Sequence, residues 1–176
     1  AIDPRRVAVV GARDLDEGEK ANLREAGVMV MGMEQIDRLG MSTAVEKAIE
    51  RVSQDVDGIY LSFDMDALDP RHAPGVGTPV AAGLTQREGH VAVELIGETG
   101  KLVGMDIVEV NPILDVQNQT ASLAVEYALS ALGLTALLIA SELAFTVLKW
   151  AGAAYLVVLA ALTIRNARKK AAAVQS

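Results

Sequence analysis

The sequence predicts an α/β fold, in which a partial parallel sheet is flanked by helices and followed by a long apolar helical segment. Three observations support this prediction. Short β-branched and apolar runs alternate with stretches of helix length along residues 1–133. Carboxylates follow two of the predicted strands, at the edge where parallel sheets bind ligands. From residue 131 to residue 164, only Glu142 and Lys149 are charged.

The first two strands and the helix between them are predicted from local composition. Residues 6–11 (RVAVVG) form a β-branched run that glycine ends, which is typical of a buried parallel strand. The polar stretch 16–26 predicts a helix that Gly27 terminates, and residues 28–31 predict the second strand.

Two Thr-x-x-Glu spacings predict helix starts further along the chain. Thr43 and Glu46 have the spacing of a capping box, so we expect a helix over residues 43–52. Thr85 and Glu88 predict another helix in the same way. The remaining predicted elements are strands at 59–63 and 102–110 and an amphipathic helix at 120–132.

The charge of the 176 residues is unevenly distributed. The formal net charge is −7, but residues 1–133 carry 11 Lys and Arg against 22 Asp and Glu, a charge of −11. Residues 134–176 carry five basic residues and one acidic residue, a charge of +4. The acidic part argues against a nucleic-acid partner. Because the chain has no cysteine, disulfides, thiolate chemistry and cysteine-based zinc sites are excluded.

The apolar C-terminal part has the properties of a membrane span. Residues 143–164 exceed the roughly 20 apolar residues that a spanning helix needs. The basic run at 165–170 follows at once, as the positive-inside pattern predicts. The alternative is a buried C-terminal helix of a soluble protein. We therefore expect a domain at 1–133, an apolar segment at 134–170 and a tail at 171–176.

The sharpest chemical feature is an acidic cluster at the end of the third predicted strand. Residues 62–70 read SFDMDALDP. Asp64 and Asp66 would share a face if the strand continued, and two such carboxylates repel unless a cation lies between them. Oxygen ligands suit Mg, Ca or Mn. The alternative is a solvated acidic loop.

The segment that follows the acidic cluster is a loop with two glycines and two prolines. Residues 72–79 read HAPGVGTP, and such a loop lets the backbone approach a ligand closely. The alternative is an ordinary surface turn.

Four motifs in order resemble the ureohydrolase family, and bacterial arginases most closely. They are 62–70 (SFDMDALDP), 73–79 (APGVGTP), 83–88 (GLTQRE) and 106–115 (DIVEVNPILD). The resemblance covers residues 1–133 and implies the three-layer αβα fold of that family. It also implies an enzyme that hydrolyses the guanidinium of arginine to ornithine and urea.

The resemblance implies a role for each matching site residue. Asp64 matches the carboxylate that bridges two manganese ions, and Asp66 matches a ligand to one of them. Thr78 and Glu109 match residues beside the substrate guanidinium, and Asp64 and Glu109 are the catalytic candidates. Asp69 matches the third acid of the motif, which is more structural. The manganese pair would activate the attacking water.

The chain departs from the family pattern in its metal ligands. The family also has a Gly-Gly-Asp-His segment and an Asp-Ala-His-x-Asp segment, and the sequence contains neither. The two histidines, His72 and His90, do not match ligand positions of the family. We therefore expect a truncated or chimeric ureohydrolase with impaired activity and at most weak manganese binding.

The C-terminal part resembles a different family, the LysE/RhtB amino-acid exporters. The resemblance covers residues 131–166 and includes the run 145–156 (FTVLKWAGAAYL). Two alternatives to the ureohydrolase follow: a membrane-associated exporter fragment, or a non-catalytic α/β domain with a membrane tether. We expect a cytoplasmic protein, or else membrane association through residues 143–164, and homo-oligomerisation remains open.

Overall fold

The α/β alternation predicted from the sequence is confirmed in a computed structural model, which describes residues 2–133 and residue 150. Residues 2–133 belong to one compact unit of the chain. Its elements in chain order are β1 (Ala8–Val10), α1 (Glu17–Ala26), β2 (Met29–Met31), α2 (Met33–Leu39), α3 (Met41–Val52), β3 (Ile59–Asp64), α4 (Gln86–Glu98), β4 (Leu102–Val108) and α5 (Gln119–Ala131). Short 3-10 helices lie at Pro4–Arg6 and Met65–Ala67.

The strands form two parallel pairs, which corrects the prediction of one partial sheet. β1 pairs with β2, with Val9 opposite Val30. β3 pairs with β4, with Ser62 opposite Asp106 and Asp64 opposite Val108. Within the described residues, no ladder joins one pair to the other. Residue patterns predict that strands exist and run parallel, but pairing is decided by which strand edges meet in three dimensions.

Capping side chains set the starts of two helices, of which the cap at Thr85 was predicted and the cap at Asp16 was not. α1 begins after Asp16, whose side chain accepts from the backbone N–H of Glu19 in a full capping box. It ends at Gly27 with φ +78°, a left-handed conformation that favours glycine. α4 begins after Thr85, whose side chain accepts from the backbone N–H of Glu88 at 3.2 Å.

The predicted helix start at Thr43 is wrong. α3 begins two residues earlier, after Gly40 with φ +81°. The Gly40 carbonyl accepts the N–H of Ala44 at 3.2 Å, and Met41 is buried in the core. Burying Met41 and turning the chain at Gly40 therefore override the Thr43 capping spacing. The stretch before it forms α2, which sequence analysis left unassigned and which buries Ile36.

One core connects the two strand pairs with the helices. Its largest fully buried side chains are those of Tyr127, Ile36, Met65, Leu68, Val76 and Val93. In the described part of the chain, no helix is both long and apolar enough to cross a membrane. The predicted span at 143–164, the segment 134–170 as a whole apart from residue 150, and the tail 171–176 lie outside the described residues.

Candidate functional site

Asp64 and Asp66 lie at the carboxyl end of β3, but not as neighbours on one strand face. The strand ends at Asp64, and Met65–Ala67 forms a 3-10 turn instead of continuing it. The prediction of alternating strand faces therefore does not apply. The turn brings the two residues together in another way, because the Asp64 carboxylate accepts the backbone N–H of Asp66 at 2.8 Å.

The Asp66 carboxylate has one oxygen satisfied and one without a partner. Its Oδ2 accepts a short hydrogen bond, 2.5 Å, from the Thr78 hydroxyl. Its Oδ1 is buried and has no hydrogen-bond partner among the described residues. Because an unpartnered buried acceptor costs about 1–3 kcal/mol, it requires an explanation such as a bound cation.

Asp64 lies in a partly desolvated environment at the same edge. Desolvation is the largest cause that raises the pKa of its carboxyl, and the negative charge of Asp66 raises it further. The hydrogen bond from the Asp66 N–H and the positive charge of Arg13 act in the opposite direction. The net effect is a raised pKa of the Asp64 carboxyl, chiefly because burial disfavours its charged form.

Glu109 follows β4 directly and has a strained backbone. Its φ is +64°, which is rare for residues other than glycine and clusters at functional sites. A Cβ placed on Gly77 would lie 3.6 Å from the Glu109 Oε2 atom, so the carboxylate is beside the 72–79 loop. The structure therefore brings Glu109 to the loop that carries Thr78.

The 72–79 loop is held at Gly75, by residues that sequence analysis missed. The Gly75 N–H donates to the buried Thr120 hydroxyl at 2.8 Å, and its carbonyl accepts the Asn111 N–H at 2.7 Å. Asp115 accepts backbone N–H groups at the start of α5, including that of Thr120 at 3.0 Å. A Cβ on Gly75 would collide with Asp115. The sequence did contain a signal for Asp115, because an acid shortly before a predicted helix can accept the free N–H groups at the helix start.

Asp69 is a buried acid next to the loop, in keeping with the structural role that the resemblance implied. It is 3% exposed, and its Oδ1 pairs with the Arg71 guanidinium at 2.7 Å. Its Oδ2 accepts the Ala82 N–H at 2.9 Å. The hydrogen bonds from Arg71 hold the pKa of this carboxyl well below its usual range.

The two histidines do not join the carboxylates in a metal site. His90 packs edge-on against Tyr127, with ring centroids 4.8 Å apart, and its Nε2 lies 3.6 Å from a Glu126 oxygen. The carbonyl of His72 accepts from the Gln119 side chain at 2.9 Å. Among residues 2–133 and 150, no group of three His, Cys, Asp or Glu side chains is arranged to hold a metal.

A polar cluster that sequence analysis missed occupies the exposed face of β3 and β4. Asp106 accepts hydrogen bonds from the Ser62 hydroxyl at 2.6 Å and from the Tyr60 hydroxyl at 2.9 Å. These bonds lower the pKa of Asp106. Because strand side chains alternate, Tyr60 and Ser62 share their face with Asp64, so the cluster borders the acidic edge.

Comparisons with known proteins agree with this geometry. The family model "Arginase family" matches residues 1–133, and the model "LysE type translocator" matches residues 119–176. The arginase of Bacillus caldovelox is 50% identical over 124 residues, which cover 70% of this chain and 42% of the relative. The arginase of Bacillus subtilis is 48% identical over 132 residues, covering 75% and 44% of the two chains.

The fold comparison gives the same result. The solved structure of Bacillus caldovelox arginase matches with a TM-score of 0.72 and 48% identity, over 75% of this chain and 44% of that chain. The chain therefore spans less than half the length of the relatives it matches. Family model, relatives and fold agree over the part that carries the candidate site, and the chain belongs to the arginase family.

Proposed function

We propose that residues 1–133 form one side of the active site of an arginase-type ureohydrolase. The reaction is hydrolysis of the guanidinium of arginine, or of a related guanidino substrate, to ornithine and urea. The observation that carries this proposal is the Asp66 carboxylate, which is oriented by Thr78 through one oxygen and leaves its other buried oxygen unpartnered. Family membership supplies the reaction class.

Each proposed role follows from the chemistry of the side chain. Asp64 and Asp66 are hard oxygen donors and would hold manganese from this side. The bound metal would supply an activated water molecule. Glu109 offers a planar carboxylate that a guanidinium can bind through two parallel hydrogen bonds, and Thr78 lies at the adjoining loop. We assign Asp64 and Glu109 as catalytic and Thr78 and Glu109 as substrate-binding residues.

The donor set fits one divalent cation rather than a complete two-metal centre. Two carboxylates supply the oxygens, and the described residues contain no group of three ligands. The 176 residues also contain neither histidine segment of the family pattern. We therefore propose that this polypeptide by itself binds manganese weakly and has impaired activity, as a truncated or chimeric ureohydrolase would.

Manganese titration tests the assignment of the two carboxylates. The EPR signal of free Mn²⁺ is recorded as the ion is added to the chain and to the variant Asp64→Asn/Asp66→Asn. We expect bound Mn²⁺ with the original chain and none with the variant, because both anionic donors become neutral. Equal binding by the two proteins would refute the assignment.

A matched control separates site binding from general attraction to an acidic protein. Asp55 and Asp57 have the same i, i+2 spacing and lie exposed in the loop before β3. The variant Asp55→Asn/Asp57→Asn removes the same charge, so we expect it to bind Mn²⁺ as the original chain does. If it also loses binding, the effect arises from net charge rather than from the site.

The second candidate function is membrane association, which the match to the LysE type translocator model favours. Residues 143–164 would then tether a cytoplasmic α/β domain, or form part of an exporter. Fractionation separates this from the first proposal. A membrane tether predicts that the chain stays in carbonate-washed membranes, whereas recovery in the supernatant would refute it. Deletion of residues 143–164 is the control that releases a tethered domain.

A further inference from the structure

Arg13 connects the two segments that carry Asp66 and Thr78. Its Nη2 atom donates to the Asp66 carbonyl and to the Val80 carbonyl, each at 2.7 Å. Its Nε donates to the same Val80 carbonyl at 3.2 Å, and its Nη1 donates to the Ala67 carbonyl at 3.3 Å. One guanidinium thus holds the 3-10 turn at Asp66 and the end of the loop two residues after Thr78.

The backbone just before Arg13 is fixed by hydrogen bonds, which limits the positions that the guanidinium can reach. Gly11 has φ +87° and donates its N–H to the Met31 carbonyl at 2.8 Å. The Ala12 carbonyl accepts the Met33 N–H at 2.9 Å. Residues 11 and 12 are therefore tied to the end of β2, and half-buried Arg13 reaches from there to the acidic edge.

Arg13 binds three backbone carbonyls, whereas Arg6 and Arg51 each bind one. Arg5, Arg38 and Arg71 form ion pairs with carboxylates, whereas the Arg13 guanidinium donates to three neutral backbone carbonyls. A planar guanidinium with five N–H donors can bind several carbonyls at once, and a lysine ammonium lacks this fork geometry. The contacts therefore favour a role in fixing backbone positions.

We propose that Arg13 is a positioning residue, which fixes the Asp66 carboxylate relative to Thr78 by holding the backbone on both sides of their hydrogen bond. This inference rests on the proposed function, because it assumes that Asp66 and Thr78 act together at the site. It explains how the Asp66 Oδ1 atom stays buried without a partner among the described residues. Arg13 fixes the backbone of Asp66 by its hydrogen bond to the Asp66 carbonyl.

Segment-resolved hydrogen exchange on the full chain tests this inference without metal. The reporting amides are those of Asp69 and Leu84, which bond to the carbonyls of Leu84 and Ala67. In Arg13→Gln we expect about tenfold faster exchange at these amides, since a charge-assisted hydrogen bond is lost. Peptides within α4 and α5 should exchange as in the original chain.

Two further variants make the exchange result specific. Arg13→Lys keeps the positive charge but lacks the planar guanidinium that binds several carbonyls. We therefore expect amide exchange rates between those of the original chain and Arg13→Gln. Arg38→Gln removes an exposed arginine paired with Glu34 and should change neither segment. Unchanged exchange in Arg13→Gln would overturn the inference. Equal acceleration in all peptides would also overturn it, because Arg13 would then act only on global stability.

Measuring Mn²⁺ binding by the original chain and by Arg13→Gln separates this inference from the proposed function. If the original chain binds Mn²⁺, Arg13→Gln should weaken binding about tenfold, as loss of an outer support to a metal ligand does. Equal affinity would overturn the positioning role while leaving the metal site intact. If the original chain binds no Mn²⁺, the proposed site fails, and the exchange result alone decides whether Arg13 fixes the backbone.

Discussion

Two carboxylates near the acidic edge of this protein, those of Asp69 and Asp66, lie in opposite environments. Asp69 is buried but satisfied, by Arg71 and by the Ala82 N–H. Asp66 has one buried oxygen without a partner among the described residues. A buried carboxylate with all its partners stabilises the fold, whereas one with an unpartnered buried oxygen lowers its stability. Residue type alone does not distinguish the two, because both belong to the same DMDALD run.

The substitution Asp69→Asn should destabilise the fold in a pH-dependent way. The pKa of Asp69 is held well below its ordinary value, so its stabilising contribution is fully present above the ordinary pKa. It is lost as the pH falls toward the folded-state pKa. We expect Tm at pH 7 to drop by several degrees, and the difference between original and variant to shrink below about pH 4.

Thermal unfolding followed by circular dichroism between pH 3 and pH 7 measures this difference. The exposed Asp37→Asn variant is the control, and its Tm should follow that of the original chain at every pH. A constant Tm difference across the range would show that Asp69 contributes by packing and not as an anion.

Helices α4 and α5 illustrate how elements fit together at a glycine. Tyr127 of α5 is fully buried, and its hydroxyl donates to the Gln86 carbonyl at 3.0 Å. A Cβ on Gly89 of α4 would collide with the Tyr127 hydroxyl. Burial raises the pKa of Tyr127, so the phenol stays neutral in the helix interface. The close approach of the two helices therefore depends on the absence of a side chain at Gly89.

The substitution Gly89→Ala should destabilise the protein by about 1–3 kcal/mol, the usual cost of overpacking. Alanine has a higher helix propensity than glycine, which by itself would stabilise α4. A loss of stability in Gly89→Ala would therefore come from packing alone. Urea unfolding measures the change. Gly18→Ala on exposed α1 is the control: its Cβ would lie 3.1 Å from one Asp16 carboxylate oxygen, so it should cost less stability than Gly89→Ala. Equal stability of Gly89→Ala and the original chain would contradict the contact.

On the scale of the whole molecule, the described part exposes large side chains on the β3–β4 pair. Tyr60 of β3 is 61% exposed and Val103 of β4 is 72% exposed, although the two strands pair in parallel. Parallel sheets in α/β proteins generally have both faces covered.

We expect the 176-residue chain to release no urea from arginine above the metal blank, even with added Mn²⁺. Two carboxylates cannot position and activate a water molecule as a two-metal site does. Colorimetric urea detection measures the release, with the full-length Bacillus subtilis arginase as the positive control. Robust turnover by this chain would contradict the prediction and would require ligands from residues outside the described part.

Much of the fold could be predicted from the sequence because the signals are local. The Thr85–Glu88 capping box and the Gly27 terminus are decided by a few neighbouring residues. The start of α3 could not be predicted, because burial of Met41 outweighs the cap at Thr43. The two separate strand pairs were also missed, because pairing depends on contacts between distant segments.

The same division holds for the candidate site. The sequence by itself determined the family, the acidic motif and the residues Asp64, Asp66, Thr78 and Glu109 as candidates, because residue types and their spacing carry that information. Only the tertiary structure decided that Asp66 binds Thr78, that its Oδ1 is unpartnered, and that Arg13 holds both segments. Those contacts join residues 12 to 67 positions apart, where no sequence period connects them.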